Sequence, residues 1–403
     1  MAHVRCSHCT SSRREFLRTG LFGLGIGAAL PSVFSHTSIA MAAEAFQTGA
    51  EAHPERILVV VELAGGNDGL DTVIPWSDDG YQRARPALGH KQGDFLPIDD
   101  RFGLHPSLGG LKTIWDEGLV SIVHGCGYPN PNRSHFSSME YWHTAMPYEA
   151  SNTGWLGRLA DDLWTDPKPN TIVNISAQQS LAVQAQHHAP VVFNNPDEFV
   201  RAGDKLQADT YKALVTNKES GNATLDFLSS ISRDATSSSQ LVRQAIRDYD
   251  TPVAYSSSPL AADLRKVAAL INGGFQTRIY YVSLGGFDTH ASQNSGRFYL
   301  LTGLGEALSA FHHDMKRIGR EKDVALMMFS EFGRRVEENA SLGTDHGTAG
   351  PMFVMGAGVK PGHYGQHPSL TDLDENGDLK MTTDFRGIYA TMMQEWLGST
   401  HTD

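Results

Sequence analysis

The chain has 403 residues, of which 40% are aliphatic, aromatic or Cys and 19% are charged, with 40 Gly and 18 Pro. That composition fits a loop-rich globular protein and excludes a fibrous or disordered one. Acidic groups outnumber Lys and Arg by 45 to 33. This argues against a nucleic-acid partner, because phosphate contact needs a basic face, and no stretch offers the roughly 20 uncharged apolar residues of an integral membrane span.

In chain order, Ser12-Arg13-Arg14-Glu15-Phe16-Leu17-Arg18 comes first, followed by a weakly apolar, Gly- and Ala-rich stretch from Thr19 to Ser35. Small residues at Ser38-Ile39-Ala40 and Ala40-Met41-Ala42 then fit a cleavage box. A basic segment, a short apolar segment and small residues, in that order, predict a signal peptide over 1–42. The adjacent arginines before Phe-Leu make it similar to a twin-arginine signal. The expected partner is the twin-arginine translocase, and the expected location is the periplasm or the outside of the cell. Cys6 and Cys9 fall inside the leader, so only Cys126 remains beyond it and no internal disulfide is available.

Residues 43–403 read as a single domain. The runs 57–61, 119–123, 171–175, 278–282 and 324–328, with 352–355 as a sixth, are rich in β-branched and aliphatic residues. They are continuous rather than alternating, which predicts strands covered on both faces. Helices are predicted between them: one opened by Ser258-Pro259 and closed by Gly273-Gly274, one over 297–318, and one over 384–397 ended by Gly398. Strand and helix alternate, so the class is α/β with a mostly parallel central sheet flanked by helices. Residues 200–258 carry Ser clusters and a polar helical pattern, read as a surface helical insertion.

Ligands of open α/β sheets sit at the carboxyl ends of strands, and polar clusters fall there. Gly65-Gly66-Asn67-Asp68 follows the first run. His124-Gly125-Cys126-Gly127 and then Asn132-Arg133-Ser134-His135 follow the second. Gly285-Gly286-Phe287-Asp288-Thr289-His290 and Ser330-Glu331-Phe332-Gly333-Arg334 follow later ones, with Gly343-Thr344-Asp345-His346-Gly347 beyond. Any one of these fits a turn. Their recurrence predicts acids and imidazoles converging on one rim, which is the donor set for a divalent cation. Asp372-Leu373-Asp374-Glu375-Asn376-Gly377 matches the start of a calcium loop, but Thr383 holds its twelfth position, so it is read as a turn.

With the leader, these motifs resemble the twin-arginine-exported bacterial family called domain of unknown function 1501, along nearly the whole chain after the leader. The resemblance implies an alkaline-phosphatase-like or sulfatase-like fold with one or two divalent ions (zinc, manganese, calcium or magnesium). It implies metal ligands at Asp68, Asp288, His290, Glu331, Asp345 and His346. It also implies catalysis by Ser134, Arg133 and His135, with Ser134 as nucleophile at a helix start and Arg133 gripping an anion; Ser134 fits a helix cap equally well. A late histidine of such sites has only His363 and His367 as near candidates. The implied activity is hydrolysis of phosphate or sulfate esters, on a small anionic ester or a glycan. The alternative is a non-catalytic envelope protein that keeps the fold and binds a glycan or protein partner. Hydrolysis of carbon–oxygen or peptide bonds lacks the commonest zinc-helix motif.

Overall fold

The computed structural model describes residues 56–165, 170–197 and 239–400. The leader and most of the 200–258 segment lie outside the described residues. Twelve strands are described: β1 Ile57–Leu63, β2 Val73–Ile74, β3 Leu96–Pro97, β4 Gly103–Leu104, β5 Val120–Gly127, β6 Ile172–Ile175, β7 Val191–Phe193, β8 Ile279–Leu284, β9 Val324–Phe329, β10 Gly350–Met355, β11 Gly362–Tyr364 and β12 Thr383–Asp384. The helices used below are α1 Gly69–Thr72, α2 Asp79–Ala84, α3 Gly109–Asp116, α4 His135–Thr144, α5 Trp155–Leu163, α6 Pro259–Asn272, α7 Gln293–Arg317 and α8 Phe385–Thr391.

The central sheet runs β11-β5-β10-β9-β1-β8-β6-β7, with β12 also on β5. β1 pairs in parallel with β8 and β9. Only β10 is antiparallel to its neighbours β5 and β9. The fold is therefore α/β with a mostly parallel sheet and helices on both faces. In β1, Val59 and Val61 face a core shared with α3, α6 and α7, while Leu58 and Val60 face a second core holding Trp142, Trp155, Phe385 and Tyr389. Burial on both faces is why the strand reads as an unbroken apolar run.

Three boundaries differ from the sequence reading. β5 extends to Gly127, so His124-Gly125-Cys126-Gly127 lies in the strand, not after it; pairing with β10 and β12 supplies the order that its glycines do not. α7 begins at Gln293, not 297, because Gln293 and Arg297, one turn apart, are polar yet buried, held by Asp68 of the β1 loop and Asp71 of α1. α8 stops at Thr391 and continues as a π-helical turn over Met392–Trp396. α6 matches its signals, with the Ser258 hydroxyl accepting from Ala261 N.

The described end of the 200–258 segment is anchored to the first core. Val242 and Tyr249 are buried in the first core, and Tyr249 donates to Asp314 of α7 at 2.5 Å. Among the described residues no helix is long and apolar enough to cross a membrane.

Candidate functional site

The loops leaving β1, β8 and β9 meet at the carboxyl edge of the sheet. Gly65 holds φ +117, and a Cβ there would sit 2.5 Å from Asp288 N. A glycine is required for the β1 loop to lie against the β8 loop. Arg334, after β9, is buried and ties the loops together. Its Nε donates to Gly66 O at 2.8 Å, its Nη1 to Thr344 O at 2.8 Å, and its Nη2 to Gly65 O and to Asp288 Oδ1, the latter at 2.7 Å.

Around Asp288 Oδ1 three imidazoles converge. His290 Nε2 lies at 2.9 Å, His346 Nε2 at 3.2 Å and His135 Nε2 at 3.6 Å. His135, Asp288 and His346 each place a donor atom within 4.8 Å of the others, and His290 Nε2 is 2.9 Å from His346 Nε2. The opposite nitrogen of every ring is held by an oxygen. His135 Nδ1 donates to Glu331 Oε1 at 2.8 Å, His290 Nδ1 to Asp345 Oδ1 at 3.0 Å, and His346 Nδ1 to the Arg133 carbonyl at 2.9 Å. These bonds fix the tautomer: in the neutral rings each Nδ1 carries the proton and each Nε2 presents a lone pair. Three lone pairs therefore face one another and a carboxylate. His135 Nε2 is buried with no hydrogen-bond partner.

The charges fit the same picture. Burial works to raise the Asp288 carboxyl, but hydrogen bonds from Arg334 and then His346 outweigh it and bring it down to about 2. The His290 hydrogen bond, with that of Asn339, holds Asp345 below the usual carboxylate range. Burial depresses His346, favouring its neutral ring. Asp288, Glu331 and Asp345 set against Arg334 leave two negative charges, which one divalent cation would balance.

The expected residues thus divide. Asp288, His290 and His346 converge. Glu331 and Asp345, expected as ligands, stand behind the rings and orient His135 and His290. His135, expected in catalysis, lies with Asp288 and His346. Asp68, also expected as a ligand, is fully buried elsewhere. Its Oδ2 accepts from Arg85 Nη1 at 2.6 Å and Gln293 Nε2 at 2.7 Å, so its charge is already compensated and anchors α7. Arg133 has two of its three guanidinium nitrogens engaged by acids. Its Nε donates to Asp378 Oδ2 at 2.6 Å and its Nη2 reaches Asp374 at 3.1 Å, which also fixes the 372–378 segment as a turn. Ser134 occupies the N-cap position of α4 without making a side-chain cap bond, and it is exposed. His363 and His367 lie apart from this site, packed with His124 on Phe102.

A second cluster offers a contrast. Asp71 accepts from His90 Nε2 at 2.8 Å and from Arg297 Nε at 2.5 Å, and His105 Nε2 lies at 4.0 Å. Here His105 Nδ1 accepts from Ser107 N, so its Nε2 carries the proton toward Asp71. Donors face the acceptor and a guanidinium balances the charge, leaving a metal nothing to do. Burial lowers His105 to about 4.

Comparison with known families matches residues 55–402 to the family model described as Protein of unknown function (DUF1501). The chain belongs to this family. Among curated proteins none matches. Among solved structures, similarity is found to a protein in the alkaline phosphatase superfamily from Vibrio parahaemolyticus (8% identity, 98% of this chain and 77% of that one, TM-score 0.41). It is also found to the lipoteichoic acid synthase LtaP from Listeria monocytogenes (10% identity, 96% and 78%, TM-score 0.37). A third is the C-terminal periplasmic domain of EcEptC from Escherichia coli, in complex with Zn (8% identity, 77% and 75%, TM-score 0.35).

Two side chains of this region escaped the sequence reading. Arg334 sits inside a motif that drew attention to Glu331. Glu62 is a lone carboxylate in the apolar run of β1, and that isolation is itself the signal.

Proposed function

We propose that this DUF1501 protein is an exported, metal-dependent hydrolase of phosphate or sulfate esters, delivered by the twin-arginine route. One divalent cation is held by His135, Asp288 and His346, with His290 as a fourth donor. The observation that carries this reading is the set of three imidazoles whose Nδ1 atoms are tied back, leaving Nε2 lone pairs aimed at one carboxylate oxygen. Carboxylates and a carbonyl that orient imidazoles are the usual outer layer of a metal site. Nitrogen-rich donors suit zinc or manganese better than calcium or magnesium. Such an ion supplies Lewis-acid polarisation of an ester oxygen.

The chain's own residues supply the rest. Ser134, next to His135 at the start of α4, has a hydroxyl with no hydrogen bond and is the candidate nucleophile. The first-turn N–H groups favour an anion there. Glu331, Asp345 and the Arg133 carbonyl accept from the Nδ1–H groups and so orient the rings with Nε2 toward the ion. The test is elemental analysis of the exported protein, joined to turnover of 4-nitrophenyl phosphate and sulfate. One metal equivalent is expected, lost in His135→Ala and His346→Ala, with turnover lost in Ser134→Ala.

A second reading has its own observation. Arg133 is bound to Asp374 and Asp378, and Arg334 to Asp288 and backbone carbonyls. Two nitrogens of the first guanidinium and all three of the second are thus committed within the protein, which favours a metal-keeping protein that binds a glycan or protein partner without turnover. Metal binding without hydrolysis of either ester would select it.

A further inference from the structure

A cleft of about 640 Å³ opens beside the metal-directed rings, within the range of small-molecule sites. α4 forms one wall, presenting His135, Phe136, Met139, Glu140 and His143. His135 and His143 are eight residues apart on this helix, about 12 Å along its axis at 1.5 Å per residue. One end of the cleft is therefore the ligand cluster, and the other is a different polar site.

At that far end Glu62 of β1 is buried under α4. It accepts from His143 Nε2 at 2.7 Å, from Ser283 Oγ at 3.1 Å and from the Tyr281 hydroxyl. Burial works to raise the Glu62 carboxyl, but the His143 hydrogen bond, with those of Tyr281 and Ser283, holds it below the usual range. With Nε2–H given to Glu62, His143 keeps Nδ1 as an acceptor. Glu140 is exposed beside it. Phe136 is 90% exposed at the cleft, a large aromatic face with no packing partner in the core. Among the described residues, those lining the cleft include no Lys or Arg, so a second anionic group at its far end would face the carboxylates of Glu62 and Glu140.

We infer that this far end is a subsite for the alcohol portion of the substrate, and that this alcohol is an uncharged, polyhydroxylated ring, that is, a sugar. The inference rests on the ester-hydrolase reading above and names its substrate class. Acceptors at Glu140 and at His143 Nδ1, the latter oriented by Glu62, suit hydroxyl donors, and Phe136 with Met139 offers an apolar face for the ring. A dianionic or polyanionic leaving group is disfavoured by the same carboxylates.

The test compares kcat/KM of the metal-loaded full chain on glucose 6-phosphate and glucose 6-sulfate with that on the 4-nitrophenyl esters and on phosphoethanolamine. The sugar esters are expected to be preferred over phosphoethanolamine. In His143→Ala the sugar-to-aryl ratio of kcat/KM is expected to fall tenfold or more, through KM. Phe136→Ala, at an exposed position that folding does not need, is expected to lower the same ratio roughly threefold or more. An equal loss on sugar and aryl esters in both variants overturns the subsite. Preference for phosphoethanolamine overturns it too, by showing that the carboxylates take an ammonium. Turnover of none of these esters by wild-type protein overturns the hydrolase reading itself, and the subsite with it.

Discussion

Glu331→Gln is the perturbation that isolates the outer layer of the proposed metal centre. Glu331 Oε1 accepts from His135 Nδ1 and from Gly65 N, both at 2.8 Å, and Oε2 accepts from Ser330 Oγ at 2.9 Å. A glutamine oxygen keeps the first two bonds. Its NH₂ then faces Ser330 Oγ, whose single proton can pass to Leu63 O, 2.6 Å away, while the oxygen accepts from the amide. Every hydrogen bond therefore survives and only the negative charge is lost, so the fold should lose less than about 1 kcal/mol. The charge is what makes His135 a strong donor, and loss of an orienting carboxylate costs about 10–100-fold in metal affinity, or about 1.4–2.8 kcal/mol. Zinc competition against a chromogenic chelator reads the affinity, and urea denaturation of the metal-free protein reads the stability. Wild-type and Glu331→Gln proteins binding zinc within twofold of each other would refute the reasoning, as would a variant that loses stability and affinity together.

The second cluster is expected to behave oppositely. Asp71→Ala leaves Arg297 buried without its carboxylate and should cost about 3–5 kcal/mol in denaturant unfolding, with metal stoichiometry unchanged. The pH dependence follows from the same pair. Although burial works to raise the Asp71 carboxyl, Arg297 and then His90 hold it far below its ordinary value. Its stabilisation is therefore complete above the unfolded value of about 3.9 and is lost as pH falls through the lower folded one; acid unfolding of Asp71→Asn should lack that component. Gly65→Ala should destabilise the protein by about 1–3 kcal/mol and weaken zinc binding, since its Cβ would press on Asp288 N at 2.5 Å from a backbone with φ +117; unchanged affinity would show that the β1 and β8 loops are not coupled.

Much of the fold was legible because its strands are buried on both faces, and Val59 and Leu58 point into different cores yet both read as apolar. The direction of β10 was not legible, since a run buried on both sides looks alike in either orientation. The first turn of α7 escaped because Gln293 and Arg297 are buried by ion pairing and hydrogen bonding, which leave no apolar period. At the site, the strand-end clusters drew attention to Asp288, His290 and His346, which the structure brings together. The division of labour was hidden: whether an acid ligates or orients depends on its partner, and His135 with Glu331 are separated by 196 positions. Asp68 misled for the same reason, because nothing in its own loop announces Arg85.

The most direct measurement is anomalous diffraction from crystals of zinc-loaded protein, collected across the zinc edge. The account requires one peak about 2.0–2.2 Å from the Nε2 atoms of His135 and His346 and from an Asp288 oxygen, with none at Asp71, His90 and His105. A peak at the Asp71 cluster, or none beside Asp288, would contradict it.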